Sequence, residues 1–176
     1  RHSSAASDVY KRQSLLDGEH VLHDKYGGFI NYYLAFDAYY IGREDIRSLA
    51  LANGGSDEKF DRTRVVEMHN IVTKADFQPL IGNKIPLTIK EKTFYISSGK
   101  QIFKNCNTIL SNVADQLFEY ETDGLIFTPS NTGVASDRVG ESLSPTKTTW
   151  LKSFKWKPPE FNTVDFLVTT KKTESG

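Results

Sequence analysis

The chain has 176 residues with 22 basic and 22 acidic side chains, a formal net charge of zero, and it is 38% hydrophobic and 12% aromatic. That composition excludes a disordered chain, and the charge balance excludes a globally basic surface built for nucleic acid. No apolar run reaches the roughly 18 residues of a membrane-spanning helix, and the single cysteine, Cys106, excludes an internal disulfide framework and a cysteine-built zinc site. A reducing compartment is the simplest setting for such a chain.

The first residues stand apart. Ser3–Gln13, "SSAASDVYKRQ", reads as the in-frame translation of a transposase adapter used in sequencing libraries, and Met68 is the only methionine. Residues 1–13 are therefore set aside as a non-native segment. The expectation is a natural chain that starts near Ser14, within a longer reading frame. Setting aside Arg1, Lys11, Arg12 and Asp8 leaves 19 basic against 21 acidic residues, a net of −2. About 160 residues remain, enough for one domain with a real core.

Leu15–His23 reads as a strand, Asp24–Gly28 as a turn, and Phe29–Tyr40 as a second strand, so the pair predicts a hairpin. Gly42 breaks it. A short helix is expected over Glu44–Ala52, then a loop over Asn53–Asp57 that ends in a helix cap. Phe60, Val65, Met68 and Val72 continue at helical spacing to about Thr73. Pro86–Ile96 reads as a strand. Ile102, Phe103, Cys106, Ile109, Leu110, Val113 and Leu117 then form one apolar helical face, with Cys106 as packing. Gly124–Thr128 is the next strand, and Pro129–Thr149 a loop long enough to be functional or mobile. Strands over Trp150–Trp156 and Thr163–Thr169 close the domain, and residues 171–176 read as a linker. The mixture lacks regular βαβ alternation, which predicts an α+β fold with largely antiparallel sheets.

Three stretches carry chemistry. In "LLDGEHV", Asp17 and Glu19 share one face of an extended segment; they either present carboxylates to a metal or ribose, or flank a bulge at Gly18 as solvated acids. In "YETDGLIFTP", Asp123 precedes an apolar strand; it is either a rigid metal ligand or an ordinary Asp-Gly turn. In "FKWKPPEFNTVDF", Lys155 and Lys157 project to one side of a strand and Trp156 to the other. Two neighbouring ammonium groups repel unless an anion lies between them, and a phosphate is such an anion. The plain alternative is an edge strand that uses lysines against aggregation. Phe36 shares a strand face with Ile30, Tyr32 and Leu34, so packing alone makes it core. His20, His23 and His69 show no metal-ligand spacing.

The order of "DGE", "YYLAFDAYY", "TDGLIF" and "KWK" resembles the motif series of the covalent nucleotidyltransferase superfamily, the mRNA capping guanylyltransferases and ATP-dependent polynucleotide ligases. The resemblance covers nearly all of residues 14–170. "TDGLIFTP" and "FKWKPPEFNTVDFLV" are most similar to capping enzymes, especially those of large cytoplasmic DNA viruses. The resemblance implies a nucleotidyltransferase (ATP-grasp-like) domain with helices flanking largely antiparallel sheets. It implies transfer of GMP from GTP, through a lysyl–GMP intermediate, to the 5′-diphosphate end of RNA, with Mg²⁺ or Mn²⁺ as cofactor. Glu19 would contact the ribose or support the metal, Phe36 would stack on guanine, and Asp123 would help hold the metal. Lys155 and Lys157 would grip the α-phosphate, with Asp165 near the triphosphate and Trp156 packed into the core. Triphosphatase and methyltransferase domains on the same parent chain are the implied partners, with no membrane. The setting would be the host cytoplasm or a viral factory, or the nucleus for a cellular enzyme.

The sequence departs from the family in one respect that matters for activity: it contains no K-x-D-G, the motif that carries the nucleophilic lysine. The family's C-terminal OB-fold is also not represented. The expectation is a piece of a longer enzyme, inactive by itself. A ligase adenylation domain and a catalytically dead scaffold module are the alternatives.

Overall fold

The computed structural model describes residues 13–54, 59–74, 87–142, 150 and 152–169. Strands β1 (Leu15–His23) and β2 (Phe29–Ile41) form the expected antiparallel hairpin, and a two-residue strand β3 (Glu44–Asp45) continues from β2. Helix α1 (Arg64–Lys74) follows, then β4 (Thr88–Glu91), helix α2 (Gln101–Ala114), β5 (Leu125–Phe127) and β6 (Phe154–Trp156). The protein is thus mixed α+β, with antiparallel pairing throughout except where β4 runs parallel to β2. No described helix is long and apolar enough to cross a membrane.

The core sits between β2 and α1. Ala35, Ala38, Ile46 and Met68 are buried together, with Leu16, Tyr33, Leu49, Val72 and Phe94 packed around them. Alanines at two of these positions let α1 approach the sheet closely, and Met68 fills the space between. Thr63 caps α1 through its hydroxyl, which accepts from the Val66 amide. The expected start near residue 58 is therefore several residues early. Phe60 instead lies in a loop closed by Asn53, whose side chain bonds both the amide and the carbonyl of Phe60. The cap expected at the end of Asn53–Asp57 falls partly outside the described residues.

Glu44–Ala52 is not a helix. The amides of Arg64 and Val65 take the carbonyls of Ala50 and Leu51, and those of Val134 and Gly140 take Arg47 and Ser48. These carbonyls serve other segments, so they cannot close an i to i+4 ladder. The described part of the long polar loop, 129–142, packs on this same segment, and Thr132 and Ser136 within it are buried; its remainder to Thr149 lies outside the described residues.

Helix α2 matches its periodicity but not its expected burial. It buries no residue, and Phe103 and Leu117 on or just beyond its apolar face are 72% and 68% exposed. Cys106 is half-buried. Thr163–Thr169 is not a strand either: among the described residues it pairs with no strand, with Phe166 81% and Leu167 97% exposed. Its β-rich composition favours a strand, but a strand requires a partner edge.

Candidate functional site

The β5–β6 ladder builds the first half of the site. Leu125 pairs with Trp156 and Ile126 with Lys155, which sets Asp123, just before β5, beside Lys157, just after β6. Gly124 makes the approach possible. Its φ is 152°, and a Cβ there would lie 2.0 Å from the Trp156 carbonyl oxygen. The "DG" pair is therefore a backbone requirement as well as a turn signal.

Both lysines converge on one oxygen. Lys155 Nζ lies 2.8 Å and Lys157 Nζ 3.0 Å from Asp123 Oδ2. Hydrogen bonds from Lys155 and then Lys157 hold the Asp123 carboxyl down to about 2. The anion demanded by the lysine spacing is here a carboxylate of the chain itself. Trp156 does not pack into the core as expected; on the two-stranded β5–β6 ladder it is 44% exposed.

The second half lies on the larger sheet. Asp17 pairs with Asp37 but Gly18 pairs with Ala35, so the register slips and Phe36 is left without an opposite residue. Such a bulge re-aims a side chain. Gly18 permits it: a Cβ there would lie 2.6 Å from the Tyr33 ring and 2.8 Å from the Leu34 carbonyl oxygen. The bulge expected as the plain alternative for "DGE" is real, and it coincides with the residue proposed to stack on a base. Phe36 is half-buried and Glu19 is exposed.

Lys92 joins these two. Its Nζ donates to Glu19 Oε2 at 2.6 Å and stands 5.7 Å from the centroid of the Phe36 ring. The backbone fixes this, since the Lys92 amide donates to the Ala35 carbonyl at 2.8 Å. Sequence reasoning missed Lys92. Its signal was the Lys90/Lys92 pair, with the same spacing as Lys155 and Lys157.

Asp17 takes a different partner from Glu19: the Tyr39 hydroxyl donates to its Oδ2 at 2.5 Å. Burial first, then this bond, pushes the Tyr39 hydroxyl up. Asp37, next to Phe36, is buried against Arg64, which has no exposed surface. Burial pushes the Asp37 carboxyl up, and the bond from Arg64 opposes it. Arg64 also donates to the carbonyls of Leu49 and Thr132, so one guanidinium ties β2, α1 and two loops together. Sequence reasoning missed this pair too, because nothing local marks Arg64 as buried.

Burial first, then the charge of Glu19, pushes the Tyr120 hydroxyl up, and Asp123 follows Tyr120 by three residues in the chain. Asp165 does not join the cluster by any contact: among the described residues it makes no hydrogen bond or ion pair, and it is exposed.

No three His, Cys, Asp or Glu side chains converge as a metal cage among the described residues. Mg²⁺ needs no such cage; one or two carboxylates with phosphate oxygens and water suffice. Asp123 and Glu19 are carboxylates of the kind such an ion takes, and each is ion-paired with lysine here. No protein-family model matches the chain, and no curated protein matches it. The chemistry of the site must therefore carry the functional reading.

Proposed function

We propose that this chain supplies the nucleotide-binding face of an mRNA capping guanylyltransferase, a covalent nucleotidyltransferase with an ATP-grasp-like fold. The observation that carries the reading is the meeting of Lys155 and Lys157 on Asp123, because it joins "TDG" and "KWK" across 32 positions of sequence. The bulge at Phe36, with Glu19 and Lys92 beside it, supplies the complementary half.

In this reading the base stacks on Phe36, and Lys92 offers a donor at its edge. Glu19 accepts from a ribose hydroxyl. The α-phosphate replaces the Asp123 carboxylate between Lys155 and Lys157, which neutralise charge as it develops in the transition state. Asp123 and Glu19 would hold Mg²⁺, which when bound neutralises the triphosphate. In this reading the attacking amine would be the lysine of a K-x-D-G motif, which this sequence does not contain. Its nitrogen bonds to the α-phosphorus as the bond to pyrophosphate breaks. The RNA 5′-diphosphate then displaces that lysine, which restores the amine and leaves GMP on the RNA.

The test is retention of label. The full reading frame is expressed and incubated with Mg²⁺ and α-labelled GTP or ATP, then denatured. Label from GTP alone, lost when the K-x-D-G lysine is replaced, is the expected result. Label from ATP alone would make it a ligase domain. A folded protein that takes label from neither would overturn the reading in favour of a scaffold.

A further inference from the structure

A recess of about 400 Å³ lies between the β1–β2 turn and the segment after α2, and its lining includes Asp24, Lys25, Tyr26, Tyr32, Phe118 and Glu119. We infer that this recess is a docking groove for single-stranded RNA, holding a base of the acceptor strand against Tyr26. The identification of that strand as acceptor rests on the guanylyltransferase reading.

Three features of the recess favour this occupant. The first is an exposed aromatic on a rigid support. Tyr26 is 79% exposed, yet its turn is braced. Asp24 Oδ1 accepts from the amides of Tyr26 at 2.8 Å and Gly28 at 2.7 Å. The turn is also tied to the end of α2: the Lys25 amide donates to the Glu119 carbonyl at 3.1 Å, and its Nζ to the Gln116 carbonyl. A ring carried on a turn braced this way can stack on a base at a reduced entropic cost.

The second is chemical pairing. Lys25 Nζ lies 5.2 Å from the centroid of the Tyr26 ring, and Lys90 Nζ lies 3.9 Å from that of Tyr32. An ammonium beside each of the two tyrosine rings suits a strand that alternates phosphates and bases. Lys90 also bonds Glu119 at 2.9 Å, and this carboxylate can accept from a ribose 2′-hydroxyl.

The third is position. Tyr32 lies on the same strand as Phe36, four residues away, or roughly 13 Å. Glu119 lies four residues before Asp123, at most about 14 Å by chain reach. The recess thus shares strand β2 with Phe36 and a chain segment with Asp123, the two ends from which the nucleotide site is proposed to be built.

Fluorescence anisotropy with a labelled single-stranded RNA decamer, run beside titration with mant-GTP and Mg²⁺, tests the inference on this chain. Tyr26→Ala should weaken RNA binding about 5- to 150-fold and leave mant-GTP binding unchanged. Lys25→Gln should lower the salt slope by about one. Phe103→Ala, an exposed aromatic on α2, should change neither. Unchanged RNA affinity in Tyr26→Ala overturns the groove. So does mant-GTP binding without RNA binding, which leaves the nucleotide reading intact. RNA binding that depends on Tyr26 without mant-GTP binding supports the groove and fails the nucleotide reading. A dimer in light scattering that Tyr26→Ala dissolves would assign the recess to a second copy and overturn the inference.

Discussion

Arg64 and Asp37 form a buried ion pair with two hydrogen bonds, Nε to Oδ1 at 2.7 Å and Nη2 to Oδ2 at 3.1 Å. The pair stands one residue from the bulge at Phe36. It secures β2, beside the candidate site, to α1.

Arg64→Met leaves Asp37 buried without its partner, which should cost roughly 3–5 kcal/mol. Without Arg64, the Asp37 carboxyl should rise further. A carboxyl with a raised folded value binds its proton more tightly in the native state, so stability from that proton is gained as pH falls and lost as pH rises. The deficit of Arg64→Met should therefore be largest at neutral pH and shrink toward pH 5. Urea midpoints of both proteins at the two pH values check this; a deficit that does not change with pH would mean Asp37 is not its source.

Gly124→Ala should open the β5–β6 ladder. The added carbon would meet the Trp156 carbonyl oxygen at 2.0 Å, at a φ of 152° that favours glycine. A backbone atom cannot swing away as a side chain tip does. The expected cost is about 1–3 kcal/mol, with loss of mant-GTP binding. Retained binding would show that the contact between Asp123 and the two lysines survives without the tight turn.

Lys155→Ala and Lys157→Ala should separate function from stability. Exposed ion pairs contribute about 0–1 kcal/mol, so melting temperatures should barely move. Nucleotidyl transfer by the complete enzyme should fall by about 100-fold or more, as it does when one donor to a transition-state charge is removed. A large loss of stability with normal transfer would make these lysines structural.

The Asp123 carboxyl, held down to about 2, contributes its pairing above the ordinary carboxylate range and loses it as pH falls through about 2. Its carbon chemical shift should stay flat from neutral pH to pH 4. Replacing both lysines with Ala should restore titration to the ordinary range. A midpoint near 4 in the unsubstituted chain would mean the lysines do not hold the carboxylate in solution.

What the sequence makes legible is local. β1 and β2 follow from alternating β-formers around a turn, and α2 from a clean apolar period. The motif pair "TDG" and "KWK" could be named, though that they meet at one Asp123 oxygen is a fact of the ladder. What stays illegible depends on distant partners. Glu44–Ala52 has helix-forming residues, but its carbonyls belong to α1 and to residues 134 and 140. "TVDFLV" has strand-forming residues but pairs with no strand among the described residues. Arg64 reads as a surface residue of a helix start until Asp37, Leu49 and Thr132 surround it. The bulge at Phe36 depends on the pairing register of two strands, which neither strand encodes alone.

Phe36 decides between two physical roles that its half-burial permits. As a core residue, Phe36→Ala would cost about 3–5 kcal/mol. As a stacking platform freed by the bulge, it should cost far less stability and weaken mant-GTP binding about 5- to 150-fold. Phe36→Trp enlarges the ring face and should restore binding. The same substitution in a packed core would be overcrowded and destabilising by about 1–3 kcal/mol. Melting curves and mant-GTP titrations of the two variants give opposite patterns under the two roles. A stable, tight-binding Phe36→Trp beside a stable, weak-binding Phe36→Ala is the expected outcome. An unstable pair whose residual folded protein binds normally would return Phe36 to the core and remove the base-stacking surface from the proposed site.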